Sequence, residues 1–403
     1  MSDESLKNHP KRWKWRMEWL AQTGMEKCVS FLPGPTVFRL GETLGGLAWH
    51  LMSGRRRVVL RNLRIALHGE YDLPTLEKMA CESFRRTGAN LLSAAHTTRL
   101  PIEKIGEILT VENPELIEKA LAGGKGLVLM PPHMGNWEIL TRMNRLFPPG
   151  HPNGAFYRPL NNPILDEQLL AQREAEGTRL FSKRDSFHLV TGFIRDGGIV
   201  GILADQRVGG KGELVRFFGR LTRASPLPSL MARRSKSQVF AMSVITVEPG
   251  KWKIRYYAVE GPISTASCMK ALENAMKASP LDVFWLQDRW KLYIKDRWPL
   301  TDWLGPAAHG EGTPHRALLW LPGTPPGWKV PSNWTHPDVP YEVIHREAKL
   351  PGTDRDSLQK FIAETDRAKP LPIDFILTCN ASKALVKAAK REGIPLISLK
   401  PQP

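Results

Sequence analysis

Through the first hundred residues the apolar positions recur every three or four places. Leu60, Leu63 and Leu67 fall on one helical face, and so do Leu76, Met79, Ala80 and Phe84. From about residue 110 the rhythm alternates between two periods. PELIEKALAGG reads as a helix closed by glycines, and GLVLM as a short buried strand. NNPILDEQLLAQREAEG, DSFHLVTGFIRDGG and PLPSLMARRSK read as helices. TRLFS, IVGILAD, QVFAMSVITVE and KWKIRYYAVE read as the strands between and after them. Helices alternating with strands predict an α/β sheet flanked by helices.

The pattern breaks after WPLTDWLGP. HGEGTPHRALLWLPGTPPGWKVPSNWTHPDVP is dense in Pro, Gly and His and reads as a linker. Order then resumes. DRDSLQKFIAETDRA and NASKALVKAAKREG read as helices, the second with an Asn cap and a closing Gly, and IDFILTC and IPLISL as strands. Three regions follow: a helical region over 1–100, an α/β domain over 101–304, and a linker with a small α/β unit over 305–403. The last carries no phosphate-binding glycine loop and no obvious nucleophile, and its role is open between catalysis and a scaffold or carrier-docking function.

Charge changes the picture next. The chain has 57 Lys and Arg against 40 Asp and Glu, a formal +17. Such a balance suits a polyanion: nucleic acid, anionic headgroups or an acidic carrier protein. Cys28, Cys81, Cys268 and Cys379 lie far apart, which argues for a reducing compartment and against a disulfide framework or a zinc site. The opening residues do not read as a secretory signal, since KRWKWRMEWL offers no clean apolar core or cleavage site. No stretch supplies the roughly 18 uninterrupted apolar residues of a spanning helix. Trp13, Trp15 and Trp19 sit among Lys11, Arg12, Lys14 and Arg16 instead, with Arg55, Arg56 and Arg57 further on. That mixture favours a bilayer interface.

The chemistry concentrates in GLVLMPPHMGNWEIL, Gly126 to Leu140. On a continuous helix His133 and Glu138 point to different faces, so they meet only if the chain turns between them. Pro131, Pro132 and Gly135 offer the turn, and Asn136 can cap a following helix. A carboxylate behind an imidazole fixes the tautomer and stabilises the imidazolium. The second ring nitrogen then takes a proton from a substrate hydroxyl, which attacks an acyl group. That chemistry requires no serine or cysteine nucleophile, and the chain contains no GxSxG. A strand-end carboxylate, Asp205, is an alternative partner for the ring.

PPHMGNWE resembles the HxGNWE signature of the lipid A biosynthesis acyltransferases, the lauroyl and myristoyl transferases, within the wider glycerolipid acyltransferases with an HxxxxD/E motif. AFYRPLNNP is similar to the family's YRPxxNP segment, here Tyr157, Arg158, Pro159, Asn162 and Pro163. ILADQ resembles its strand ending in Asp205 and Gln206. VRFFGRLTRAS, with Phe217, Phe218, Gly219 and Thr222, resembles a further block, as do FWLQDRWK, with Trp285, Arg289, Trp290 and Lys291, and RRRVVLRNLRIAL. The blocks run in order over about residues 10 to 300.

The resemblance implies a glycerolipid-acyltransferase-like fold and a catalytic pair, His133 and Glu138. Asn136, Arg158, Asn162, Asp205 and Gln206 are the expected substrate-binding residues. For Arg158 two readings stand, a phosphate contact and a structural ion pair. The donor is acyl carrier protein or coenzyme A thioester, and the acceptor a lipid A precursor. The setting is the cytoplasmic face of an inner membrane, peripheral or monotopic. Neither metal nor cofactor is expected. One rival acylates a lysophospholipid or another glycolipid. A rival of another class is a non-catalytic basic protein binding lipid or nucleic acid. Dispersed basic residues without a nucleic-acid motif weigh against nucleic acid.

Overall fold

The computed structural model describes residues 9–147, 150–157, 159–175, 177–182, 185–208, 212–290, 315–320, 341–346, 354–379 and 381–398. Four helices come first: α1 (Arg12–Ser30), α2 (Gly34–Leu51), α3 (Ser53–Leu67) and α4 (Leu73–Thr97). Next come β1 (Leu109–Glu112), α5 (Glu115–Leu121), β2 (Leu127–Met130), β3 (Asn153–Phe156), α6 (Pro163–Glu174), β4 (Arg179–Phe181), α7 (Phe187–Arg195) and β5 (Ile199–Gly201). The chain continues through β6 (Glu213–Phe217), β7 (Arg220–Ala224), α8 (Leu227–Ser235), β8 (Gln238–Glu248), β9 (Lys251–Ala258) and α9 (Thr265–Lys277). It ends with β10 (His315–Trp320), β11 (Tyr341–Arg346), α10 (Arg355–Arg367), β12 (Phe375–Thr378), α11 (Lys383–Glu392) and β13 (Leu396–Ser398).

Two compact units form from interleaved stretches. The first takes Met1–His50, Glu82–Asp205 and Ser225–Phe284. Its seven-stranded sheet has the order β1-β9-β8-β2-β5-β3-β4. Every neighbouring pair is parallel except β8 and β9, which form a hairpin. β2 is buried at all four positions, as a strand covered on both faces requires. α8 packs on β2 and β8, and α9 on β8 and β9. Side-chain caps set several helix starts: Asn162 ahead of Pro163 at α6, Ser186 at α7, and a reciprocal Ser264–Ser267 box at α9.

α2 meets α4 through glycines. A Cβ on Gly45 would lie 2.2 Å from the Phe84 carbonyl oxygen, so only glycine permits this approach. The opposite face of α2 leaves Leu40, Leu44 and Leu47 exposed, the last at 56%. α1 likewise exposes Trp13, Met17 and Leu20, while Trp15 is buried and stacks on His9. Among the described residues no helix is long and apolar enough to cross a membrane.

The second unit takes Leu51–Cys81, Gln206–Ala224 and Trp285–Pro403. Its parallel four-stranded sheet has the order β11-β10-β12-β13. Leu318, Trp320, Leu358, Ile362, Ile376 and Leu385 form its core with α10 and α11. β10 falls in the Pro/Gly-rich stretch expected to be a linker, where ALLW is buried strand, and β11 begins directly after that stretch. The VRFFGRLTRAS block forms an antiparallel hairpin, β6 with β7. The cap of α11 is Ser382, two residues beyond the expected Asn. Arginines are built into this unit. Arg61 donates to the Ile373 carbonyl at 2.7 Å, Arg64 pairs with Asp366, and Arg220 pairs with Asp374. Trp285, Arg289 and Trp290 are buried, with the Arg289 guanidinium 5.2 Å from the Trp285 ring and Trp290 stacked on Phe217.

Candidate active site

β2 and β5 are parallel neighbours, with Leu129 opposite Gly201. Their following loops therefore leave the same edge of the sheet. Outside the carboxyl ends of parallel strands is where open α/β sheets bind ligands. His133 sits three residues past β2 and Asp205 four past β5. The two side chains meet there: His133 Nδ1 lies 2.6 Å from Asp205 Oδ1. The Asp205 carboxylate is fully buried, while the imidazole keeps 18% exposure. A short contact to an enclosed carboxylate places the proton on Nδ1 and leaves the Nε2 lone pair as the basic position.

Glu138 is placed differently. Arg173 Nη2 on α6 donates to its Oε2 at 2.7 Å, and Trp137 Nε1 to its Oε1 at 3.1 Å. The carboxylate on the imidazole Nδ1 is thus Asp205, the alternative partner, and Glu138 forms an ion pair. Residues 137–146 also wind as a 3₁₀ helix rather than an α-helix, and Asn136 does not cap it. Asn136 is buried and donates from Nδ2 to Thr97 Oγ1 at 2.9 Å.

The loop between them has a defined shape. Gly135 has φ +57°, and a Cβ there would lie 2.1 Å from the Val244 carbonyl oxygen. No other residue fits that position without moving β8. The Phe284 N–H donates to the His133 carbonyl, and the Gly135 N–H to the Asp282 carbonyl, both at 2.8 Å. Met134 and Val283 form an antiparallel bridge between these bonds. The Trp137 ring stands edge-on to His133, centroids 5.3 Å apart.

Beside Trp137 lies an apolar cavity. Leu129, Leu140, Phe147, Phe156, Leu203 and Met242 line it, together with the Glu138–Arg173 pair. Asn162 is committed elsewhere. It caps α6 through Oδ1 and donates from Nδ2 to the Trp15 carbonyl at 3.0 Å and to Glu18 at 2.9 Å. Gln206 follows Asp205 and is half-buried. Arg158 and Lys291 lie outside the described residues. Among the described residues no cluster of His, Cys, Asp and Glu is arranged to hold a metal ion. Sequence reasoning missed Arg173, which is half-buried on α6 and sits in LLAQREAEG, a stretch that reads as an ordinary helix surface.

The arrangement can hold an imidazole in one tautomer against Trp137, which lines an apolar cavity. The chain matches the family described as bacterial lipid A biosynthesis acyltransferase over residues 4–292. It is 24% identical over 299 residues to the lipid A biosynthesis lauroyltransferase of Escherichia coli (strain K12), covering 70% of this chain and 93% of that protein. It is 22% identical over 298 residues to the lipid A biosynthesis palmitoleoyltransferase of the same organism, covering 70% and 92%. A lipid A biosynthesis acyltransferase of Haemophilus influenzae (strain ATCC 51907 / DSM 11121 / KW20 / Rd) is 26% identical over 192 residues, 46% of this chain and 59% of that protein.

Proposed function

This chain belongs to the bacterial lipid A biosynthesis acyltransferase family and is an acyltransferase, and from that premise we propose that it moves a fatty acyl group from a thioester onto a hydroxyl of a lipid A precursor, with His133 as the general base. The observation that carries the reading is the contact between His133 Nδ1 and the buried Asp205 carboxylate at 2.6 Å. Asp205 holds the ring and stabilises the imidazolium. Nε2 takes the proton from the acceptor hydroxyl as its oxygen attacks the thioester carbonyl. The tetrahedral intermediate collapses, the C–S bond breaks, and the departing thiolate takes the proton back from Nε2. Ester and thiol are the products, and the ring returns to its starting state.

The cavity beside Trp137 is apolar enough to receive the acyl chain. Glu138 and Arg173 form its charged lining and hold each other in place. Arg158 is assigned to acceptor phosphate by its motif alone. The donor is acyl carrier protein or coenzyme A thioester. The outward row Leu40, Leu44, Leu47 of α2 and the row Trp13, Met17, Leu20 of α1, flanked by Lys11, Lys14, Arg16 and Arg39, suit an anionic bilayer surface. We assign the protein on that basis to the cytoplasmic face of the inner membrane.

The test supplies lauroyl and palmitoleoyl thioesters, each on acyl carrier protein and on coenzyme A, with an underacylated lipid A precursor or a lysophospholipid. Mass spectrometry should find one added acyl ester on the lipid A precursor, and His133→Ala should reduce it to a small residual amount. Acylation of the lysophospholipid alone, or full turnover by His133→Ala, would overturn the reading. In flotation with phosphatidylglycerol vesicles the wild type should bind, and the pair Leu44→Glu with Leu47→Glu should stay in the soluble fraction.

A further inference from the structure

The loop bearing His133 has no helix or ladder of its own to fix it. Its backbone is held from residues 282–284, through the bonds of Phe284 N–H and Gly135 N–H and the Met134–Val283 bridge. The loop is therefore as well placed as that segment is. What fixes the segment is one carboxylate. Asp282 is fully buried at its side chain. Its Oδ1 accepts from Thr246 Oγ1 at 2.6 Å, Asn90 Nδ2 at 3.1 Å and Arg86 Nη1 at 3.3 Å. Its Oδ2 accepts from Ser279 Oγ at 2.6 Å and the Thr246 N–H at 2.9 Å. Arg86 and Asn90 belong to α4 and Thr246 to β8, where the ladder is irregular and the N–H is turned to the carboxylate. Asn90 is itself fixed, accepting from Trp252 Nε1 at 2.8 Å.

We propose that Asp282 is a positioning residue for His133: its carboxylate locks α4, β8 and the 279–284 segment together, and the Asp282 carbonyl and Phe284 N–H pass that placement to the His133 loop. The inference rests on His133 being the base. A buried carboxylate saturated with donors is stiff, because losing any one donor leaves polar groups unsatisfied in a low dielectric. A base displaced by about 1 Å loses on the order of 10²-fold in rate.

Asp282→Asn keeps the shape but turns one acceptor into a donor facing groups that themselves donate. The expected result is kcat lower by roughly 10²-fold, with KM for thioester and acceptor unchanged and a native circular dichroism spectrum. In a His133→Ala background the same substitution should not lower the residual rate further, because the residue acts only through the ring. Ser279→Ala removes one donor and disturbs folding least; it should lower kcat in the same sense by a smaller factor. Unchanged kcat in folded Asp282→Asn overturns the proposal, as does unchanged kcat in Ser279→Ala should the first variant not fold. An additive loss in the His133→Ala background does the same. Wild-type turnover by His133→Ala is a different failure, since it removes His133 as the base whatever Asp282 does.

Discussion

In the first unit a buried carboxylate, Asp205, faces an imidazole ring; in the second, Asp366 and Asp374 face guanidiniums. Under the proposed chemistry the His133 ring takes up and returns a proton, so its partner's position acts directly on reactivity. A guanidinium stays protonated under all ordinary conditions, and its burial is a cost to be offset by acceptors. The second unit meets that cost with carbonyls as well as carboxylates. Arg64 donates to the carbonyls of Pro370, Asp366 and Lys369 besides its pairing with Asp366. Burial is the largest influence pulling the Arg64 and Arg220 values below the ordinary guanidinium range, and Asp366 and Asp374 oppose it. On the proposed function the first unit's carboxylate serves the chemistry, whereas the second unit's carboxylates hold strands and loops together.

The largest effect expected from this contrast is at Asp205. Asp205→Asn removes the acceptor that fixes the His133 tautomer, and kcat should fall on the order of 10²- to 10⁴-fold with little change in unfolding free energy. Glu138→Gln leaves Asp205 on the ring and should cost less. The reverse order in steady-state rates would return the ring's carboxylate role to Glu138. The second effect is on stability. Asp374 pairs with Arg220, lies 3.7 Å from Arg61 and accepts from the Arg316 N–H at 3.1 Å. Asp374→Ala strands buried positive charge and should cost about 3–5 kcal/mol in urea denaturation. Its kcat at a temperature where it stays folded should match wild type. A matching collapse of kcat would break the contrast, because the arginine cluster would then serve the chemistry too.

The sequence disclosed elements wherever local periodicity and caps agreed with the final packing. α6, α7 and α11 carry a capping Asn or Ser, and β2 and β8 are continuous apolar runs. It concealed elements whose pairing is distant. β3 is Asn-Gly-Ala-Phe, with no strand preference of its own, and exists because β4 and β5 pair with it. β10 hides in Pro- and Gly-rich surroundings and is a strand because β11 and β12 flank it. The site behaved in the same way. His133 and Glu138 were visible as neighbours in one string. That the imidazole's carboxylate is Asp205, 72 positions away, follows from β2 lying beside β5 and from no spacing rule. Asp282 sits in SPLDVFW without a motif, and most of its donors lie on distant elements.

The smallest expected effect sharpens the contrast at a second histidine. His68 follows α3 in the arginine-rich unit, with Nδ1 3.2 Å from the Ile65 carbonyl. Its value is held below the ordinary imidazole range, by burial first and by the positive charge of Arg220 to a lesser degree, against the Ile65 carbonyl. The folded protein therefore binds a proton at His68 less readily than the unfolded chain does. Above the unfolded value of about 6.5 both states are neutral there and nothing is lost. As pH falls below that value the unfolded chain protonates first, and stability declines until the folded value is passed. Thermal unfolding from pH 8 to pH 5 should show a Tm that drops more steeply below about pH 6.5 in wild type than in His68→Gln. kcat between wild type and His68→Gln should differ at neither end of that range. A His68→Gln change that moved the pH dependence of kcat and left the Tm profile alone would show the second unit's histidine doing what the contrast reserves for His133.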